Sequence, residues 1–98
     1  MIDGFTFDSK KEATRYLVLR DMRRRGEVSD LELQVRFELS LTGIDGSRHK
    51  IADYVADFCY DLPDGTPVVE DVKGFRTDVY RLKRKLMLAI YGVEILET

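Results

Sequence analysis

Residues Ile51 to Gly74 read Ile-Ala-Asp-Tyr-Val-Ala-Asp-Phe-Cys-Tyr-Asp-Leu-Pro-Asp-Gly-Thr-Pro-Val-Val-Glu-Asp-Val-Lys-Gly, and how this stretch pairs with itself decides the fold. Both flanks are rich in β-branched and aromatic residues, and Pro63-Asp64-Gly65 between them is turn chemistry. Pro63 opens a type I turn, and Gly65 takes the left-handed position that closes a three-residue loop. In that register Leu62 pairs with Thr66, Asp57 lies opposite Asp71, and Val55 lies opposite Lys73. Alternation then puts Asp57, Asp71 and Lys73 on one face. Like charges facing each other across a ladder are destabilising, so the pair calls for a cation. A slip of one residue would send the two carboxylates to opposite faces.

The rest of the chain arranges itself around this hairpin. Ile2 to Phe7 reads as a short strand or an anchored arm. Ser9 and Glu12 have capping-box spacing and open a helix that runs to about Arg25, with Gly26 as its stop. Ala13, Tyr16, Leu17 and Leu19 form its apolar stripe, and Glu12 falls within that stripe. Leu31 to Leu41 alternates as a half-buried strand, and Gly43 to Ser47 is a turn or loop. After the hairpin, Thr77 or Asp78 caps a second helix that reaches Tyr91 and stops at Gly92. Val79, Leu82, Leu86, Ala89 and Ile90 form its expected apolar stripe, with Arg81, Arg84 and Lys85 on its polar face. Lys83 lies within the apolar stripe, and Leu88 points out of the polar face. Val93 to Leu96 is a last strand. The expected order is α-β-β-β-α-β.

Ninety-eight residues make one domain, and a hydrophobic fraction of 44% is enough for a single core. The net charge of -2 excludes a simple basic glove for nucleic acid. Carboxylates gathered around a metal count against that sum yet are neutralised in use. The single cysteine, Cys59, excludes an internal disulfide framework and disfavours a cysteine zinc site. No secretory pattern and no apolar run of membrane length is present, so a soluble cytoplasmic protein with no membrane partner is expected.

The paired carboxylates suit phosphodiester hydrolysis. Magnesium takes oxygen ligands, keeps several waters and needs only one or two carboxylates besides its substrate. It polarises the phosphate and lowers the pKa of a bound water. A lysine orients that water and stabilises transition-state charge. Asp57, Asp71 and Lys73 supply this set, and Glu12 adds a third carboxylate from the first helix. Glu12 is equally well explained as a capping-box residue, and Lys73 as one half of a cross-strand ion pair. Arg76 and Thr77 precede a helix, a natural place to hold a phosphate. Lys83 and Gln34 are polar residues in apolar patterns that can face the same site. Glu70 points away from it, as a structural or solvated residue. Tyr16, Tyr54 and Tyr80 read as core aromatics.

Asp57 followed by Asp71-Val72-Lys73 resembles the PD-(D/E)XK nuclease superfamily, whose core order is α-β-β-β-α-β. A glutamate on the first helix is a common extra ligand there, and Glu12 stands in that place. Ala56 stands where proline often precedes the first acid. Gly-Phe-Thr-Phe-Asp-Ser-Lys-Lys-Glu-Ala, Leu-Glu-Leu-Gln, Tyr-Val-Ala-Asp-Phe and Val-Glu-Asp-Val-Lys-Gly-Phe-x-Thr-Asp look like a small phage and prophage family of resolvase-like endonucleases. The resemblance implies a restriction-endonuclease-like α/β (α+β) core with a mixed sheet flanked by helices. It implies a Mg2+-dependent DNA endonuclease, with Mn2+ able to substitute, in the bacterial host cytoplasm. It also implies DNA recombination intermediates such as Holliday junctions as substrates, and a homodimer. The alternative is a catalytically silent nucleic-acid- or protein-binding module that keeps the fold.

Overall fold

The turn at Pro63-Asp64-Gly65 closes in the expected register. In the computed structural model, which describes residues 1–73 and 76–98, Leu62 N–H donates to the Thr66 carbonyl at 2.9 Å. Gly65 takes φ +88°, where a side chain would strain the backbone. Asp64 Oδ1 accepts from Thr66 N–H at 2.9 Å and stiffens the loop. From this loop, strands β2 (Arg48–Asp61) and β3 (Pro67–Asp71) run antiparallel, paired from Asp61↔Pro67 to Phe58↔Glu70. That ladder stops one residue short of the expected pair Asp57 and Asp71. Gly74, the expected end of the hairpin, and Phe75 lie outside the described residues.

The other elements are α1 (Lys10–Arg24), β1 (Ser29–Thr42), α2 (Asp78–Tyr91) and β4 (Leu96–Glu97), in the order α-β-β-β-α-β. The sheet runs β1-β2-β3-β4, antiparallel except for the parallel pair β3–β4, so the fold is α+β with a mixed sheet. Ser9 caps α1 by accepting from Glu12 N–H at 3.1 Å, and Thr77 caps α2 by accepting from Tyr80 N–H at 3.0 Å. Gly92 ends α2 in the left-handed conformation at φ +67°. Residues Ile2 and Phe5 form a single bridge, and Phe5 and Phe7 pack on Tyr16. The N-terminal segment is thus an anchored arm.

The core divides in two, one half under each helix. Tyr16 and Leu19 of α1 pack with Val28, Phe58 and Tyr60. Tyr80 and Met87 of α2 pack with Leu39, Tyr54, Ala56, Val69 and Ile95 on the other face. Along β2, Tyr54 and Ala56 therefore belong to the α2 side, whereas Phe58 and Tyr60 belong to the α1 side. Strict alternation would keep all four on one face. β1 changes over at the same level: Leu33 packs on the α1 side and Phe37 on the α2 side. Between the pairs Leu33↔Phe58 and Val35↔Ala56 stand Gln34 and Asp57, and Gln34 has φ +54°. A left-handed residue in a strand re-aims its neighbours, which is how the two strands change face together.

Three expectations change. The buried stripe of α2 is rotated: Tyr80 and Met87 are buried, whereas Val79 and Leu82 are 62% and 56% exposed. Burying the two large side chains removes more apolar surface from water and brings the Tyr80 hydroxyl to Glu97. β2 begins at Arg48, before Ile51, because β1 and β2 pair along most of their 14 residues. The last strand lies at Leu96–Glu97, past the expected Val93 to Leu96, where it meets Glu70 and Asp71.

Candidate active site

Asp57 stands where both strands change face and where the described β2–β3 ladder has ended. Its Oδ2 accepts from Val72 N–H at 2.8 Å, bridging the two strands. Beyond Glu70, β3 turns its hydrogen bonds to the C-terminal strand: Thr98 N–H donates to the Asp71 carbonyl, and Lys73 N–H to the Thr98 carbonyl, each at 3.0 Å. Asp57 thus occupies the opening between β2 and β3, with α1 on one side and α2 on the other.

Asp71 is 3% exposed and faces this opening. Its Oδ2 accepts from the Tyr54 hydroxyl at 2.7 Å and lies 3.1 Å from Lys73 Nζ. Through Val72 N–H, Asp57 bonds the residue that follows Asp71 in the chain. Burial first, and then Asp71 and Glu12, push the Asp57 carboxyl up to about 7, against the pull of Val72 N–H. Glu12, on the first turn of α1, is 7% exposed. Its Oε1 accepts from Gln34 Nε2 at 2.9 Å. Its carboxyl is also raised, by burial and then by Asp8 and Asp71. Ser9 and Glu12 make the first half of a capping box, but the Glu12 carboxylate turns inward to Gln34.

The expected site residues therefore divide. Lys73 pairs with Asp71, Asp57 bonds the Val72 amide between them, and Glu12 bonds Gln34, which lies level with Asp57 between the pairs Leu33↔Phe58 and Val35↔Ala56. Thr77 and Lys83 line a groove of about 310 Å³ together with Asp71, Lys73, Tyr54 and Tyr80. Arg76 goes elsewhere: it pairs with Glu97 at 2.6 Å and lines a separate groove with Arg81, Arg84, Lys85 and Leu88. Glu70 is fully buried on the α1 side and structural. Arg15, Tyr60 and Thr98 bind its carboxylate.

Three contacts had no clear signal in the sequence. Tyr54 and Tyr80 are core aromatics by pattern, yet Tyr54 binds Asp71 and the Tyr80 ring centroid lies 3.9 Å from Lys73 Nζ. Lys11 Nζ donates to the Lys73 carbonyl at 2.7 Å, a link across 62 residues that no local rule anticipates. Among the described residues, no group of three His, Cys, Asp or Glu side chains gathers tightly enough to cage a metal.

The family model described as "Protein of unknown function (DUF1064)" matches residues 1–95, and the chain belongs to that family. A comparison with curated proteins gave no match. A comparison with solved structures gave none either.

Proposed function

We propose that this chain is a metal-dependent DNA endonuclease of the PD-(D/E)XK type, acting on branched recombination intermediates such as Holliday junctions in a phage-infected or prophage-bearing cell. The observation that carries the reading is the buried Asp71 carboxylate with Lys73 Nζ 3.1 Å away at the wall of a groove, and Asp57 bonded to the Val72 amide between them. Asp57 and Asp71 hold Mg2+, or Mn2+ in its place, and Glu12 contributes from α1. When bound, the ion neutralises charge on the phosphoryl oxygens and supplies a water of lowered pKa. Lys73 donates a hydrogen bond to the attacking water and stabilises the charge that grows on the phosphate. Tyr54 fixes the Asp71 carboxylate. Lys83 and the backbone at Thr77, at the start of α2, hold the scissile strand, since cations and free N–H groups at a helix start favour phosphate. Exposed Leu88 on α2 supplies an apolar contact for a homodimer, which would set one site against each of two strands.

A second reading draws on the same bonds. Asp57 accepts from Val72 N–H, and Asp71 from Tyr54 and Lys73, so both carboxylates have partners without a cation. A binding module that keeps the fold and cleaves nothing would be satisfied in this way.

One panel separates the two. The protein is incubated with supercoiled, linear, single-stranded and four-way-junction DNA, in magnesium, manganese or EDTA, beside Asp71→Ala and Lys73→Ala. Cleavage that needs metal and both residues supports the nuclease. Cleavage that survives EDTA or both substitutions refutes the site, and tight binding of the junction without cleavage selects the module.

A further inference from the structure

Lysine ends in a strongly hydrated point charge on a flexible four-carbon stem, so a lysine that must act at one place needs more than one hold. Lys73 has three. Lys11 grips its carbonyl, Asp71 attracts its ammonium, and the face of the Tyr80 ring lies 3.9 Å from Nζ. Tyr80 is itself fixed. It is 7% exposed, and its hydroxyl donates to Glu97 Oε2 at 2.8 Å. Glu97 Oε1 in turn accepts from Arg76 at 2.6 Å and Arg84 at 3.3 Å. The ring therefore cannot slide from under the lysine.

Resting on the nuclease reading, we infer that Tyr80 is a positioning residue for Lys73. Asp71 alone would draw the ammonium down onto its carboxylate. The ring attracts the charge from another side through its π face and supplies no lone pair to compete for the donors. Of the three N–H bonds, one is directed to Asp71 and one to the ring. The third is left for the water or the phosphoryl oxygen.

The test compares Tyr80→Leu, which removes the ring, with Tyr80→Phe, which keeps the ring and removes the hydroxyl. Circular dichroism checks that each is folded. A methylene group beside an aromatic face carries an upfield ring-current shift, so the Lys73 Cε protons are followed by NMR in the metal-free protein. The shift is expected in the wild type and in Tyr80→Phe, and is lost in Tyr80→Leu. On junction DNA with magnesium, Tyr80→Leu lowers kcat about tenfold at unchanged KM, as the usual strength of a cation–π contact predicts. Tyr80→Phe recovers the rate to within about threefold. In a Lys73→Ala background Tyr80→Leu has no further effect. Two results overturn the inference: equal Lys73 Cε shifts in folded wild type and Tyr80→Leu, or an equal fall in rate with and without Lys73. Wild-type protein that shows the ring-current shift but cleaves no DNA overturns the nuclease reading instead, leaving the ring contact without a catalytic purpose.

Discussion

Glu70 and Asp71 are neighbours on β3, both buried, and they meet opposite treatment. Glu70 faces α1. Arg15 binds it with two donors at 2.7 and 2.9 Å, and Tyr60 and Thr98 occupy the same carboxylate at 2.7 and 3.0 Å. Its charge is matched by a forked guanidinium, the geometry that suits a carboxylate best. Asp71 faces the opening beside α2. It receives one hydroxyl and one lysine, and it faces a second carboxyl, Asp57, with Glu12 close by. On one side of a single strand the charge is closed off. On the other, negative charge accumulates beside a groove. The first arrangement serves stability, and the second is where the proposed cation would bind.

The widest separation between the two acids is expected in activity. Asp71→Asn should lower DNA cleavage by at least about 10³-fold, since the ion's contribution is several kcal/mol, while the urea midpoint moves little. Glu70→Gln should do the reverse. Leaving Arg15 beside a neutral amide is expected to cost about 3 kcal/mol in denaturant unfolding, with cleavage kept in the protein that remains folded. If Glu70→Gln cuts activity as deeply as Asp71→Asn, the division of roles fails.

A smaller effect concerns pH. Burial holds the Asp57 carboxyl at about 7 in the folded chain, above its ordinary value of 3.8. The folded state then binds the proton more tightly than the unfolded state does. Its contribution to stability is fully present below about pH 4 and is lost as pH rises through about 7. In EDTA the urea midpoint should fall between pH 5 and pH 8, and Asp57→Asn should flatten that fall. Magnesium, binding the ionised pair, should raise the midpoint at pH 8 and not at pH 5. An identical rise at both pH values would place the ion elsewhere. The smallest effect is expected at Glu12. Glu12→Gln can still accept from Gln34, so the fold should hold while the magnesium concentration for half-maximal cleavage rises by about threefold to tenfold.

How much of this was legible in the chain varied by residue. Thr77 and Gly92 marked the limits of α2 because capping and left-handed stops are local chemistry, set by one side chain or by its absence. The pairing of Asp61↔Pro67 through Phe58↔Glu70 followed from Pro63-Asp64-Gly65 because a short loop leaves two strands little choice of register. The face of α2 was misjudged because Tyr80, with a polar tip, and Met87, off the expected stripe, filled the space under the helix ahead of Val79 and Leu82. Arg76 was grouped with Thr77 by sequence, but the nearest strong anion proved to be Glu97 on β4.

By itself, the sequence determined the order of elements, the helix ends and the hairpin register, all of which depend on turns, caps and alternation over a few residues. Only the tertiary structure decided that β1 and β2 change face at Gln34 and Asp57, and that Glu12 turns from its helix cap to Gln34. It also decided that Tyr54, Tyr80 and Lys11 meet Asp71 and Lys73. Those contacts join residues brought together by packing, where volume and charge from several elements must be satisfied at once and no local pattern records the outcome.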